Sequence, residues 1–454
     1  MSTAGDGTTD VAGQDGATAA GDGTAVKAGD GAGDGATAAA DVTAGDAPTR
    51  APSPWERVRA WPWWVHVLLV YAAGRAFAAA VFVWTSGVQE ANLWTDAQPD
   101  YQPFVALFYD GSWYKQVAEE GYPATLPRGE DGLVQQNAWA FFPLFPLLVR
   151  GLMEVTGGTW VVLAPTVALL LGAGAVLVVH RAVVHGAPRA VAARPGLPLA
   201  TVALVCAFPT AAVLQVAYTE SLALLLVASA LLLLVRRRYG WTAVVVVALG
   251  FTRAVALPMA AVVVVHLAVR WWRTRRGEDD LRPAGTAGLA ALAVGAGVSG
   301  FAWPAICGWA TGVPDGYLQT QEAWRGVREV VPFSGWTYVP QFWFGDRGVW
   351  LTVAGFALVA AVLLVPAAWR LGPELHAWAA AYVVYILAVI EPGSSLARFL
   401  LLAFPLGAVT AGVVTRPGWA RRTWFGAVLV LMLGLQVLWI RQMWEFNPGG
   451  DWPP

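Results

Sequence analysis

Residues 62–86, PWWVHVLLVYAAGRAFAAAVFVWTS, decide what kind of protein this is. The run is apolar over a length that meets the roughly 20 residues a membrane helix needs. Its only full charge is Arg75, which is expected to face the protein interior, because a lone cation among apolar neighbours avoids lipid. Arg50, Arg57 and Arg59 precede the run. A surplus of Lys and Arg marks the cytoplasmic side of a membrane, so the N-terminus is expected inside and the far end of the run, near Gly87, outside.

The whole chain agrees with this first run. Of 454 residues, 57% are hydrophobic and 13% are charged, against about 25% charged in an ordinary soluble domain. The 25 Trp, 29 Pro and 49 Gly suit a polytopic membrane protein, since Trp collects at membrane interfaces and Pro and Gly are tolerated in membrane helices. A net charge of -1 gives no footprint for nucleic acid. Cys206 and Cys307 both sit in apolar runs and suggest packing residues, neither a disulfide framework nor a metal site.

Residues 1–55 read as an Ala/Gly/Asp/Thr-rich cytoplasmic tail. With almost no large apolar side chain, such a segment cannot offset its ordering entropy and is expected to be disordered. Residues 56–454 form the transmembrane domain. After the first run comes a large outer loop, 87–159, whose apolar piece Phe141–Met153 is too short to span and contains two prolines. It reads as an interfacial or re-entrant element. Further runs follow at 160–180, 197–215, 218–235, 241–252, 254–270 and 285–308. A second outer loop, 309–347, is rich in Trp, Tyr and Pro, and runs at 348–369, 375–392, 398–415 and 423–443 complete about eleven spans. Basic residues concentrate in the loops that this topology makes cytoplasmic, such as Arg236-Arg237-Arg238 and RWWRTRR. No inverted repeat of the transporter kind stands out, and both large loops face out.

Outer loop 1 contains YDGSWYKQVAEEGYPATLPRGEDGLVQQNAWAFFPLFPLLVR, residues 109–150. Its first acid, Asp110, has two compatible readings: a cap of the helical segment that follows, or a general base that takes the proton from an attacking hydroxyl. Glu119, Glu120, Glu130 and Asp131 read as a solvated face. Oxygen ligation of a divalent cation is conceivable there, but no spacing indicates it. Glu220, at the tip of a hairpin before a long apolar run, needs a partner or a polar cavity. Arg253, at the tip of the next hairpin, is that partner or a phosphate ligand. Arg398 stands in the same kind of place and reads either as a phosphate ligand or as a snorkelling anchor. The five histidines lack metal-ligand spacing.

Tyr109-Asp110-Gly111-Ser112-Trp113-Tyr114, with Val117-Ala118, Gly121-Tyr122 and Ala140-Phe141-Phe142-Pro143-Leu144-Phe145-Pro146-Leu147, resembles the first outer loop of PIG-V-like mannosyltransferases of the GT-C superfamily, in a bacterial, actinobacterial form. Phe208-Pro209 with Tyr218-Thr219-Glu220-Ser221-Leu222 is similar to a second block of that family, and Thr252-Arg253 to a third. The chain departs from the pattern where Tyr109 replaces a Trp and where Ala254-Val255 replace Ser-Asn.

The resemblance implies an all-α polytopic membrane protein of GT-C architecture, with short interfacial helices in outer loop 1. It implies transfer of a sugar, mannose first, from a polyprenyl-phosphate donor to a hydroxyl of a glycolipid or glycoprotein. The reaction would run with inversion at the extracytoplasmic face of the plasma membrane. Asp110 would be the base and Trp113, Tyr114, Glu220, Arg253 and Arg398 would bind substrate; no cofactor is certain, and a divalent metal is allowed but not indicated. A transporter or flippase of a lipid-linked saccharide is the alternative, because it would use the same charged residues without transfer chemistry.

Overall fold

The structure, a computed structural model, describes residues 53–326 and 329–446. The chain divides into two units, Met1–Arg59 and Ala60–Pro454. The described part of the first unit is helix α1 (Pro54–Arg59) with its cap. Ser53 N donates to Glu56 Oε2 at 2.6 Å and Glu56 N donates to Ser53 Oγ at 3.3 Å. This reciprocal Ser-x-x-Glu arrangement satisfies two backbone donors at the helix start. The described residues begin at Ser53 and so take in the last three residues of the segment 1–55 read as a disordered tail. The rest of that tail, residues 1–52, lies outside the described residues.

The described part of the second unit is built of helices. Its elements are α2 (Trp63–Ser86), α3 (Tyr101–Leu107), α4 (Asp110–Glu119), α5 (Leu144–Thr156), α6 (Trp160–Gly186), α7 (Pro188–Ala193), α8 (Leu197–Ala207), α9 (Glu220–Val235) and α10 (Tyr239–Gly250). There follow α11 (Ala256–Arg275), α12 (Pro283–Thr311), α13 (Gly316–Trp324), α14 (Gly335–Phe344), α15 (Arg347–Leu364), α16 (Pro373–Val389), α17 (Ser394–Leu400), α18 (Pro405–Gly412) and α19 (Trp419–Met443). Among the described residues no strand forms, only an isolated antiparallel bridge between Arg128 and Val134.

Among the described residues six helices are long and apolar enough to cross a membrane: α2, α6, α11, α12, α19, and α15 together with the turn that extends it to Arg370. The pair α17 and α18 would make a seventh as one span bent by 80°. This count falls short of the expectation of about eleven spans and supports the coarser reading of a helical membrane protein. The apolar runs exist, but backbone breaks divide several of them. Phe208-Pro209 ends α8 after 11 residues, and the joint Phe251–Val255 ends α10 after 12. Each of these is about 18 Å or less at helical rise, against a hydrocarbon core of about 30 Å.

The short helices α8 and α9 are apolar because they are interior. α6 packs along α9, α11 lies against α12 and α16, and α10 against α9. α9 carries Leu224, Val227, Leu231 and Leu234 fully buried, and α16 carries Trp378 and Tyr382 likewise. Apolar length alone does not separate such a core helix from one that faces lipid. Arg75 is buried, as expected. Its guanidinium donates to the carbonyls of Ala211 and, at 3.0 Å, Cys206, backbone groups freed where α8 breaks.

The interval 87–159 folds as α3, α4, a short 3-10 turn over Ala138–Ala140, and α5. FFPLFPLL becomes the start of α5, with Phe145, Pro146 and Val149 buried and Leu147 and Leu148 exposed on its other side.

Candidate functional site

The turn between α3 and α4 is tight, and its residues account for its shape. A Cβ on Gly111 would stand 2.5 Å from the carbonyl oxygen of Ala106, so only glycine lets α4 start this close to α3. One residue earlier, Tyr109 occupies the cap position with φ 50° and ψ -117°. That region costs a non-glycine residue about 1–3 kcal/mol and persists only when its surroundings over-determine it. The surroundings here are aromatic: the Tyr109 ring lies 4.8 Å from Trp94 and 6.0 Å from Trp444, centroid to centroid. Asp110 is therefore the first residue of α4 and not its cap, and its side chain is spent elsewhere.

Asp110 Oδ2 accepts a hydrogen bond from Arg398 Nη1 at 2.5 Å. Arg398 Nε lies 3.2 Å from Glu220 Oε1, and the same oxygen accepts from Arg253 Nη1 at 2.8 Å. Arg253 Nη1 also donates to Thr219 Oγ1 at 3.1 Å, and Tyr114 Oη sits 3.3 Å from that hydroxyl. The order Asp110–Arg398–Glu220–Arg253 thus joins the starts of α4 and α9, the joint between α10 and α11, and α17. The side chains are 20%, 6%, 1% and 12% exposed respectively. Such burial is tolerable for charges only because they are paired. Aromatic rings complete the setting, with Arg253 Cζ 4.0 Å from the centroid of Phe399 and Arg398 Cζ 4.9 Å from that of Tyr218.

A cavity of about 460 Å³ opens against this group, a size suited to a small-molecule site. Asp110, Arg253 and Arg398 line it from below, and Tyr317, Trp324, Arg325, Tyr382 and Tyr385 are on its other walls. Ala254 and Val255 give the neighbourhood of Arg253 an apolar wall. Tyr114 also lines the cavity; burial, and after it the nearby Asp110 charge, raises its pKa above the ordinary phenol value, so the hydroxyl stays protonated.

Of the residues singled out from sequence, Asp110, Tyr114, Arg253 and Arg398 meet at the cavity. Glu220 lies behind it, holding the two arginines rather than facing in. Trp113 stands one layer back, with its ring stacked on Phe141 at 5.7 Å and edge-on to Trp324, both of which line the cavity. The Glu220–Arg253 pair expected from the two hairpin tips is present, and Arg398 is a buried ion-pair partner rather than a snorkelling anchor. The other acids of 109–150 do local work: Glu119 pairs with Lys115 on α4, and Asp131 accepts from Leu133 N in a turn.

Beyond Tyr114, the cavity tyrosines Tyr317, Tyr382 and Tyr385 carry no expectation from the sequence. Tyr382 and Tyr385 sit three apart in an apolar run, and Tyr317, Gln321, Trp324 and Arg325 recur at helical spacing along α13. In each case the signal was a polar-aromatic stripe on one helix face. Among the described residues no three His, Cys, Asp or Glu side chains are placed to hold a metal ion. No protein-family model matches the chain, and no curated protein matches it at a significant level.

Proposed function

We propose that this protein is a membrane glycosyltransferase that moves a sugar, mannose first among candidates, from a polyprenyl-phosphate donor to a hydroxyl of a glycolipid or glycoprotein. The observation that carries the reading is the convergence of one carboxylate, Asp110, and two arginines, Arg253 and Arg398, on one aromatic-walled cavity. The division of labour follows from the chemistry. The acceptor hydroxyl gives its proton to the Asp110 carboxylate while its oxygen bonds to the anomeric carbon. The bond from that carbon to the phosphate oxygen breaks with inversion, and the lipid phosphate leaves with one more negative charge. Arg253 and Arg398, which line the same cavity, would stabilise that charge.

Arg398 holds Asp110 in the ligand-free protein. A donor phosphate competes for the same guanidinium, so donor binding loosens the carboxylate that the acceptor needs. In this reading the cavity lies on the extracytoplasmic face of the plasma membrane, as the distribution of basic residues suggests. A lipid-linked donor suits that face, where nucleotide sugars are absent.

The test uses purified protein in detergent with a labelled polyprenyl-phosphate mannose and envelope glycolipid or glycoprotein acceptors. Labelled product that requires Asp110 is expected. Product formed without a sealed bilayer rules out pure transport; its complete absence with every sugar donor tried overturns the transferase reading.

A further inference from the structure

We infer that Glu220 is a positioning residue that holds Arg253 and Arg398 together as a two-pronged clamp for a phosphate. Its chemistry rests on the transferase reading above, but the clamp can be tested apart from it.

The argument starts from which parts are rigid. Arg253 lies in the non-helical joint Phe251–Val255, and Arg398 lies in seven-residue α17, just before an 80° bend. Neither arginine is carried by a long continuous helix. Glu220 opens α9, which runs unbroken to Val235 and packs along α6. The carboxylate is the fixed point and the two guanidiniums are the parts that need fixing.

The bonding pattern points the same way. A carboxylate that serves to neutralise arginines uses both oxygens in forks, as Asp279 does for Arg270 and Arg237 elsewhere in this protein. Glu220 instead places one oxygen, Oε1, against both arginines, at 2.8 and 3.2 Å. Its other oxygen, Oε2, is buried without a hydrogen-bond partner, and Arg398 Nε, though close to Oε1, makes no aligned hydrogen bond. A pairing left this incomplete is poor as a structural staple. It does bring two like charges side by side at the cavity, with Phe399 beside both. A tetrahedral phosphate with several acceptor oxygens is the ligand class that two adjacent guanidiniums fit.

The experiment compares wild type, Glu220→Gln and Glu220→Asp, purified in detergent, with farnesyl phosphate as the probe. Binding is read by displacement, and transfer kinetics are read alongside. Glu220→Gln keeps the shape and removes the charge. It is expected to weaken farnesyl phosphate binding by about 30-fold or more, the scale of losing one partner of a buried charge pair. Donor KM should rise with acceptor KM unchanged, and Glu220→Asp should restore part of the affinity. A merely structural residue would lower the folded fraction and leave donor KM where it was.

If Glu220→Gln fails to fold, Glu220→Asp, with its carboxylate withdrawn by one methylene, decides by the same donor-specific loss. Wild-type affinity in a folded Glu220→Gln protein, or no binding of farnesyl phosphate by wild type, overturns the clamp. Glu220-dependent binding without any sugar transfer supports the clamp and overturns the transferase reading.

Discussion

The protein has two buried ion-pair networks, one at each end of α11, and they are built differently. Near the start of α11, Asp110, Arg398, Glu220 and Arg253 leave a carboxylate oxygen and a guanidinium nitrogen without hydrogen bonds beside a cavity. Near its end, Arg270 grips Asp279 through two bonds of 2.8 and 2.9 Å, and Arg237 grips the same carboxylate through two more. The chain of contacts continues from Arg270 to the Tyr239 hydroxyl at 2.9 Å, from Tyr239 to His266 at 3.2 Å, and from His266 to Glu374 at 2.7 Å. That second network ties α10, α11 and α16 to the loop before α12. A saturated network holds helices; an unsaturated one beside a cavity has capacity left for a ligand. Both are built around arginines held by carboxylates, and they differ in how many of the carboxylate oxygens are used.

If the comparison is right, damage to the two networks should have opposite signatures. Asp279→Ala leaves Arg270 buried without its fork and should lower stability by about 3–5 kcal/mol. Transfer per folded molecule should hardly change, as thermal unfolding in detergent and specific activity would show. Asp110→Asn should do the reverse, with the proposed transfer reduced about 10²-fold or more and a smaller loss of stability than in Asp279→Ala, because Arg398 keeps Glu220 as a partner. Equal loss of stability in both variants would erase the distinction.

A double-mutant cycle on Glu220 and Arg253 should return a coupling of about 0.5–3 kcal/mol, because the residues touch. Strict additivity would break the near-end network into independent charges. The far end should also answer to acid. Hydrogen bonds from Arg270, the main cause, hold the Asp279 carboxyl well below the usual carboxylate range. A depressed folded value means that its contribution is present above the unfolded pKa of about 3.9 and is lost as pH falls below it. Unfolding midpoints should therefore be flat with respect to this group above about pH 5 and fall in stronger acid, less so in Asp279→Asn. The smallest effect belongs to an exposed pair in neither network: Arg150→Ala, which removes the Arg150–Glu154 contact on α5, should cost no more than about 0.5 kcal/mol.

Much of the candidate site was legible one residue at a time. Asp110 stood out as the first acid of a structured loop, and Glu220 and Arg253 as charges that apolar neighbours could not tolerate alone. Their assembly was not legible, because Arg398 and Asp110 are 288 residues apart and nothing local to either names the other. The helical membrane class followed from composition. The number of spans did not, since α9 and α16 are as apolar as lipid-facing helices for a different reason, burial in the bundle. Tyr382 and Tyr385 were hidden for the same cause, lying in a run whose hydrophobicity masked its polar stripe.

The strained peptide at Tyr109 bears on the order in which the chain is made. Trp444, one of the rings that hold Tyr109, also donates through Nε1 to the Phe104 carbonyl at 3.2 Å, from 340 residues downstream. A ribosome delivers the turn that aims Asp110 long before it delivers the ring that braces it. A nascent chain therefore carries an unaimed carboxylate, and the bracing is completed only after α19 has been synthesised and has folded back. The folding back of the segment that follows α19 is in this sense a late step in maturing the site.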